Sequence, residues 1–165
     1  MHIKSKHPNL LQFDTWIRLV NVYNFSSTLK GGVSGGNYSS FNLGRYTDDD
    51  PLNIEVNFRF LAKMLDIEPQ RFFSPKQSHG DNICVIDKEF IIQDFNFQEK
   101  QLDNVDAVIT NVKNIGIGIT TADCVPILLY DPEKQVLAAV HAGWKGTALH
   151  IASKTVKRMK QAFGS

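Results

Sequence analysis

The chain lacks the features that mark several large classes of protein. Its 165 residues carry two cysteines and a formal net charge of +1, and no apolar run approaches the length of a membrane span. Two cysteines do not form a disulfide framework, which favours a reducing compartment. The near-neutral charge gives no attraction to nucleic acid or acidic membranes. The N-terminal residues lack the apolar segment of a signal peptide. We therefore expect a cytoplasmic protein that binds neither nucleic acid nor membrane.

Nucleotide-phosphate motifs are also missing. The glycine- and serine-rich stretch at residues 31–40 lacks the Gly-Lys-Ser/Thr ending of a Walker loop. It is either a linker or a binding loop, since glycine lets the backbone approach a ligand closely. Hydrophobic residues make up 42% and charged residues 21% of the chain, which is ordinary for a globular protein. The length predicts a single domain over residues 1–165.

The pattern of apolar residues predicts both strands and helices. Asp50 is a good N-cap and Pro51 suits the first helical position, so a helix is expected to begin there. Its apolar stripe is expected in the core: Val56, Phe60, Leu61, Met64 and Leu65. A second amphipathic helix is predicted at residues 147–163, ended by Gly164, with inward-facing residues at Ala148, Ile151, Ala152, Thr155 and Met159.

Strands are predicted within residues 12–25 and at residues 72–77, 83–86, 90–95, 105–110 and 115–120. A hairpin is expected from two apolar runs, residues 126–130 and 136–140, joined by Asp-Pro-Glu-Lys. Strands dominate and helices lie near both ends of the core. The fold class is therefore α+β (mixed α/β).

Three residues carry the chemistry: His79 in QSHG, Cys124 in TTADC and His141 in HAGWKG. Two imidazoles and a thiolate form a ligand set that suits zinc or copper and leaves a coordination position open. By contrast, Cys84 in ICVI reads as a small buried hydrophobe. Trp144 reads as core packing or as the wall of a pocket.

The hairpin gives a reason for two of these residues to converge. Paired residue numbers in an antiparallel ladder have a constant sum. Pairing Asp131 with Lys134 then places Cys124 directly across from His141, with both side chains on one face of the sheet. A bulge near Pro126 would disturb this register. The hairpin therefore predicts a pair of metal ligands.

The motifs QSHG, DAVITN, GIGITTADCVPILLYD and VLAAVHAGWKGT resemble the signature of the laccase-domain family, the YfiH-like group also called polyphenol oxidase. GGVSGGNYSSFNLG and the helix that carries Asn57 resemble its N-terminal pattern. The resemblance runs from about residue 25 to the end. It implies a layered sandwich of mixed sheets and helices, with metal ligands at His79, Cys124 and His141.

The resemblance also implies a zinc-dependent enzyme that phosphorolyses adenosine, guanosine, inosine and methylthioadenosine and deaminates adenosine. Its partners would be a nucleoside and phosphate. Cys124, His141 and His79 would be catalytic, together with Asp123. Both Asp123 and Asp106 are candidates to orient a histidine or move a proton, with a turn cap and a strand-end surface charge as the alternatives. The expected substrate contacts are Asn42, Gln77 and Arg45.

The sequence departs from the family pattern in two places. Leu29 stands where the family usually has an arginine, so a contact to an anion is either lost or supplied by Lys30 or Arg45. The chain also stops soon after the HAGW helix, where the family continues. We therefore expect a member shortened at its C-terminal end.

Four alternatives to the zinc enzyme remain open. Copper can bind the same donors, although five histidines without an H-x-H pair do not suit a multicopper oxidase. A metal-free cysteine hydrolase would use Cys124 as nucleophile and His141 as base. Some relatives are linked to editing of peptidoglycan precursors. A non-catalytic binding module is the fourth alternative. The oligomeric state is not predicted.

Overall fold

The computed structural model describes residues 3–4, 7–13, 16, 19 and 21–165. They fall into two compact units, Met1–Pro69 and Gln70–Ser165. Helices and strands are mixed along the chain, which confirms the α+β class. The expectation of one shortened domain over residues 1–165 stays a prediction.

The first unit contains a small antiparallel sheet and one long helix. Its elements are β1 (Ile3–Lys4), β2 (Leu10–Phe13), β3 (Ser26–Ser27) and α1 (Pro51–Leu65). The central strand is β2, since β1 and β3 both pair with it. The strand predicted within residues 12–25 overlaps β2 only at its start. Residues 14, 15, 17, 18 and 20 of that prediction lie outside the described residues.

Helix α1 begins as the sequence predicts. The side chain of Asp50 accepts a hydrogen bond from Leu52 N at 2.9 Å, and Pro51 occupies the first turn. The predicted apolar stripe is wrong in part, because Phe60 is 41% exposed. The buried face is rotated from the predicted one and contains Ile54, Asn57, Phe58, Leu61 and Ala62. The prediction counted apolar residues and could not anticipate a buried asparagine.

Asn57 organises the glycine-rich stretch. Its Oδ1 accepts from Val33 N at 2.9 Å, and its Nδ2 donates to Ser34 Oγ and to the Asn42 carbonyl, both at 2.9 Å. A Cβ on Gly32 would lie 2.5 Å from Asn57 Oδ1, so this position has no space for a larger residue. The stretch is therefore a folded loop fixed on α1, and the linker alternative is not supported.

The second unit is built on a four-stranded sheet, and six further helices and short strands of the described residues belong to the same unit. Its elements in chain order are β4 (Phe72–Phe73), β5 (Ile83–Ile86), α2 (Lys88–Ile91), α3 (Phe95–Leu102), β6 (Ala107–Thr110), β7 (Gly116–Ile117), β8 (Val125–Asp131), β9 (Val136–Ala142), α4 (Trp144–Ala148) and α5 (Ile151–Phe163). The sheet has the order β5-β6-β9-β8, with β5 and β6 parallel and the other pairs antiparallel. The short strands β4 and β7 form a parallel pair of their own.

Both faces of this sheet are covered. On the α5 face, Ile151 and Met159 pack against alternate residues of β6 and β9, such as Ala107 and Ala138. On the opposite face, Val108 and Ala139 pack in one cluster with residues of α2, α3 and β4. All four residues of β6 are buried, as expected for a strand covered on both sides.

Two predicted secondary-structure elements of this unit differ in the structure. The strand expected at residues 90–95 is instead the end of α2 and the start of α3, because Asp87 and Asp94 each cap a helix N-terminus. The helix expected at residues 147–163 is divided into α4 and α5 at His150, whose φ of 60° is left-handed. Ala148 is consequently exposed and not inward. Ile151, Thr155 and Met159 are buried, and Gly164 ends α5, as predicted.

Within the described part of the chain, each helix falls short of the length and apolar character that crossing a bilayer requires.

Replacing Asn57 by alanine is expected to lower the free energy of unfolding by at least about 2 kcal/mol, because Val33 N–H and the Asn42 carbonyl lose a buried partner. Chemical denaturation measures this change. The control is Arg59→Ala on the same helix, which removes only an exposed ion pair with Glu55 and should cost less than about 1 kcal/mol. Equal losses in the two variants would show that Asn57 does not anchor the loop.

Candidate metal centre

The hairpin of β8 and β9 brings Cys124 and His141 to one face of the sheet. The predicted register is wrong by two residues, since Pro126 and not Cys124 pairs with His141. The connection is longer than expected, because Asp131 pairs with Val136 and its carboxylate accepts from the backbone N–H groups of the turn. A shift of two residues preserves the face. Cys124 therefore still projects from the side on which His141 lies.

His79 completes a group of three candidate metal ligands. One donor atom from each of His79, Cys124 and His141 lies within 4.8 Å of the other two. The two imidazole rings stand nearly perpendicular, with centroids 4.8 Å apart and an interplanar angle of 78°. His141 is buried, Cys124 is half-buried and His79 is exposed, so the group opens towards solvent on one side. The structure thus brings together the three residues that the sequence singled out.

His79 owes its position to a tight turn between β4 and β5. Its backbone φ is 60°, a left-handed conformation that non-glycine residues seldom adopt. The carboxylate of Asp106 holds this turn. It accepts hydrogen bonds from His79 N at 2.9 Å and Gly80 N at 2.8 Å, and longer ones from the backbone and side chain of Ser78. The turn places the imidazole towards the sheet.

The same carboxylate orients His141. Asp106 immediately precedes β6 and accepts from His141 Nδ1 at 2.8 Å, while its carbonyl accepts from His141 N at 2.7 Å. A carboxylate can only accept, so Nδ1 carries the proton and Nε2 keeps its lone pair for a metal. Asp106 has no exposed surface, and His141 is 2% exposed. In many metal sites, a carboxylate that accepts from one ring nitrogen in this way orients the histidine, whose other nitrogen binds the metal.

Asp106 is ionised in this setting. Burial by itself raises the pKa of a carboxyl group, but the hydrogen bonds that Asp106 accepts, above all from His141, outweigh it and lower the pKa. The role of orienting a histidine is supported, and the alternative of a surface charge at a strand end is wrong for this residue.

Gly143 is a residue that the sequence analysis missed. A Cβ there would lie 3.1 Å from His79 Cδ2, 3.2 Å from Cys124 Sγ and 3.7 Å from His141 Cε1. Glycine therefore leaves free the space that the three ligands share. In the sequence, the only sign of its role was its position two residues after His141. The need for glycine becomes clear only where the segments that carry His79, Cys124 and His141 meet.

The thiol of Cys124 lies among negative charges. In the metal-free chain, partial burial raises the pKa of Cys124, and the carboxylates of Asp123 and Asp106 raise it further. Asp123 itself is exposed and contacts the thiol. Among the residues that the structure describes, no cation lowers the pKa of this thiol, whereas a bound divalent metal would stabilise the thiolate.

The expected substrate contacts have protein partners of their own. Gln77 forms three hydrogen bonds with Thr120. In the first unit, the Asn42 amide donates to Thr47 and Asp49, each at 3.0 Å. Also in that unit, the Arg45 guanidinium lies 3.9 Å from the centroid of the Phe58 ring. Substrate binding by these residues stays a prediction.

The exposed fractions of Cys84 and Trp144 decide between the roles predicted for them. Cys84 is 8% exposed and packs in the core, as predicted, and burial raises its pKa to about 11. Trp144 is 81% exposed, so core packing is wrong for it. It is the first residue of α4 and directly follows Gly143.

Comparison with known proteins shows the family of this chain. The family model described as multi-copper polyphenol oxidoreductase laccase matches residues 23–165. The chain belongs to this laccase family. Solved structures agree on the fold: YfiH of Bacillus licheniformis superposes with a TM-score of 0.84 at 28% identity, over 97% of this chain and 58% of that one. YlmD of Geobacillus stearothermophilus gives 0.83 at 26% identity, over 96% and 58%. The YfiH-like fold expected from the motifs is confirmed.

Curated members of the laccase family carry enzyme names. A purine nucleoside phosphorylase of Bacteroides thetaiotaomicron is 34% identical over 98% of this chain and 60% of its own length. Adenosine deaminase RL5, from an unknown prokaryotic organism, is 41% identical over 81% of this chain and 51% of its own length. The chain thus spans between half and two thirds of the length of these relatives.

The laccase family name implies copper, and the donor set can be tested against that implication. His79, Cys124 and His141 offer three donors around one point, which fits one ion with an open position. Both zinc and copper accept this set. Copper chemistry at several linked ions needs many more ligands than the five histidines of the chain provide.

Substituting Asp106 by asparagine is expected to weaken zinc binding by about 10- to 100-fold. An amide has one acceptor oxygen, so it cannot replace both Oδ1, which accepts from His141 Nδ1 and His79 N, and Oδ2, which accepts from Gly80 N. Competition with a chromophoric chelator gives the affinity. The matched control is Asp103→Asn, an exposed carboxylate that pairs with Lys76 at 3.5 Å. The orienting role fails if both variants bind zinc like the unmodified protein.

Gly143→Ala is expected to weaken zinc binding about tenfold or more, because its methyl group would crowd the side chains of His79 and Cys124. The fold should be retained, as circular dichroism will show. Gly35→Ala is the control, since no atom lies within 4 Å of a Cβ built there. Undiminished affinity in Gly143→Ala would mean that the ion does not occupy the space between the ligands.

Proposed function

We propose that this protein is a zinc-dependent purine nucleoside enzyme that uses phosphate to cleave the glycosidic bond and also deaminates adenosine. The observation that carries the proposal is the convergence of His79, Cys124 and His141, whose donor atoms lie within 4.8 Å of one another. Relatives with the names purine nucleoside phosphorylase and adenosine deaminase support the proposed substrate class. The geometry alone supports a catalytic ion and does not select a substrate.

Zinc is proposed over copper on the donor chemistry. Three protein ligands and one open position are typical of catalytic zinc sites. Zinc held by this set supplies Lewis acidity, which activates water or polarises a substrate oxygen. Copper is the second candidate, because the family description names it and because two histidines with a cysteine also suit a blue-copper centre. An intense blue colour on copper addition would favour that alternative.

The chain's own residues have distinct roles in the proposal. Asp106 keeps the proton of His141 on Nδ1 and so presents Nε2 to the ion. His79 and Cys124 are the other two ligands, and both are more accessible than His141. Substrate would therefore approach from their side. Asp123 is exposed beside Cys124, and we assign it the role of transferring a proton between its carboxyl group and the substrate.

Substrate contacts form the finer part of the proposal. Asn42 and Arg45 are proposed to contact the nucleoside and phosphate, with Lys30 and Arg59 as other cations for the phosphate. Arg59 is already paired with Glu55 at 2.5 Å, which makes it the less available of these groups. The chain covers 60% of the Bacteroides relative and 51% of adenosine deaminase RL5, so the nucleoside and phosphate contacts of those relatives are carried over only as proposals.

A metal-free cysteine hydrolase is the competing function that one observation favours. Cys124, His141 and Asp106 have the order of nucleophile, base and orienting carboxylate, with Asp106 on His141 Nδ1 at 2.8 Å. Two features argue against it. The pKa of Cys124 is raised, so the thiolate is scarce at neutral pH. The triad also has no use for His79.

Chelation separates these functions. The purified protein is expected to contain about one zinc per chain by elemental analysis and to lose activity when a strong chelator removes it. With adenosine as substrate, adenine that appears only with phosphate indicates phosphorolysis, and inosine indicates deamination. Cys124→Ser and His141→Ala are expected to abolish both zinc binding and turnover.

The matched control is Cys84→Ser, a thiol in the core away from the three ligands, which should retain zinc and activity. Full turnover after complete removal of metal would refute the zinc enzyme and support the cysteine hydrolase. Zinc binding without turnover of any purine nucleoside would refute the substrate class and leave the metal centre.

A further inference from the structure

We infer that Gln77 is a positioning residue whose side chain sets the separation between His79 and Cys124. This inference rests on the proposed metal function. Gln77 lies two residues before His79, and its partner Thr120 lies four residues before Cys124. The two ligand-bearing segments are thus joined by one side chain close to the site.

The two segments run side by side before they reach the ligands. Strands β4 and β7 pair in parallel, with Phe72 opposite Gly116 and Phe73 opposite Ile117. The next bond of this ladder runs from Gly118 N to the Phe73 carbonyl at 3.0 Å. Regular strand pairing ends there, while both chains continue towards the metal ligands.

The Gln77 amide takes over where the backbone ladder ends. Its Nε2 donates to the Thr120 carbonyl at 2.8 Å, and its Oε1 accepts from Thr120 N at 2.7 Å and from Thr120 Oγ1 at 3.0 Å. A side-chain amide offers the same donor and acceptor as a peptide group. Gln77 therefore adds one more rung to the ladder, formed by a side chain.

The other side of this segment is anchored next to Asp106. The neighbouring residue Lys76 donates from its N–H to the Leu102 carbonyl at 2.9 Å, and its carbonyl accepts from Val105 N at 3.2 Å. The backbone at Gln77 is consequently fixed to the chain that enters β6. Gln77 then transmits this fixed position to Thr120 and so to the loop that leads to Cys124.

Residue type matters at this position. Asparagine is one methylene shorter, and glutamate has no donor for the Thr120 carbonyl, so glutamine meets both requirements. With three bonds to Thr120, little of the amide remains for a ligand. We therefore favour a positioning role for Gln77 over the substrate contact that the sequence predicted.

Gln77→Met tests the inference, because methionine matches the length of glutamine and forms none of the three bonds. Zinc affinity is measured by chelator competition, and Co²⁺ is used as a spectroscopic probe whose visible bands report ligand geometry. We expect zinc affinity about tenfold weaker and altered intensities of the Co²⁺ bands. Thr120→Val removes only the hydroxyl donor and should give a smaller change in the same direction.

The matched control is Gln98→Met. The Gln98 amide also donates to three carbonyls, those of Phe90, Ile91 and Gln93. Gln98 lies in α3, so these bonds join α3 to the end of α2 and not the two segments that carry His79 and Cys124. It should lose a similar amount of stability in thermal unfolding and keep the affinity and the Co²⁺ spectrum of the unmodified protein.

The outcomes are distinct. Unchanged affinity and Co²⁺ bands in Gln77→Met overturn the inference and leave the proposed function standing. Equal loss of affinity in Gln77→Met and Gln98→Met also overturns it, because general loosening would then be the cause. Failure of the unmodified protein to bind zinc or Co²⁺ overturns the proposed function and this inference together. Should Gln77→Met fail to fold, an unchanged Thr120→Val spectrum overturns the inference.

Discussion

The carboxylate of Asp106 is the contact on which the rest of the site depends. It accepts from His141 Nδ1 on one side and from the backbone of the turn that carries His79 on the other. A single buried anion therefore sets the tautomer of one histidine and the backbone conformation of the other. Its burial would be costly without these donors, and their number keeps it ionised.

The sheet supplies the frame around this contact. Asp106 directly precedes β6 and His141 is the next-to-last residue of β9, and these strands are neighbours in the sheet. The β8–β9 hairpin brings Cys124 to the same side, and α5 covers the other face. His141 thus lies in the sheet, Cys124 directly precedes β8, and His79 lies in the turn that Asp106 holds. Fixed positions of this kind are what a preorganised metal site requires. Gly143 keeps the space between the ligands free.

Sequence reasoning singled out the three residues that converge, but it did not identify most of the groups that hold them in place. The glycine-flanked histidines and the ADC cysteine stood out from their neighbours, and the hairpin pattern placed two of them on one face. The register was wrong because the length of a turn depends on side-chain contacts such as those of Asp131. The strand predicted at residues 90–95 does not form, because Asp87 and Asp94 cap two helices that overlap this range. Local caps outweighed apolar content.

What the sequence by itself determined is the chemistry: two imidazoles and one thiol beside small residues, and a pattern of motifs shared with the laccase family. What only the tertiary structure decided is which groups hold those ligands. For Asp106 the sequence left a surface charge open beside the role of orienting a histidine, Gln77 was predicted as a substrate contact, and Gly143 was not predicted at all. Their partners lie far away in the sequence, and a hydrogen bond across strands leaves no trace in local periodicity. Folding alone brings such residues together.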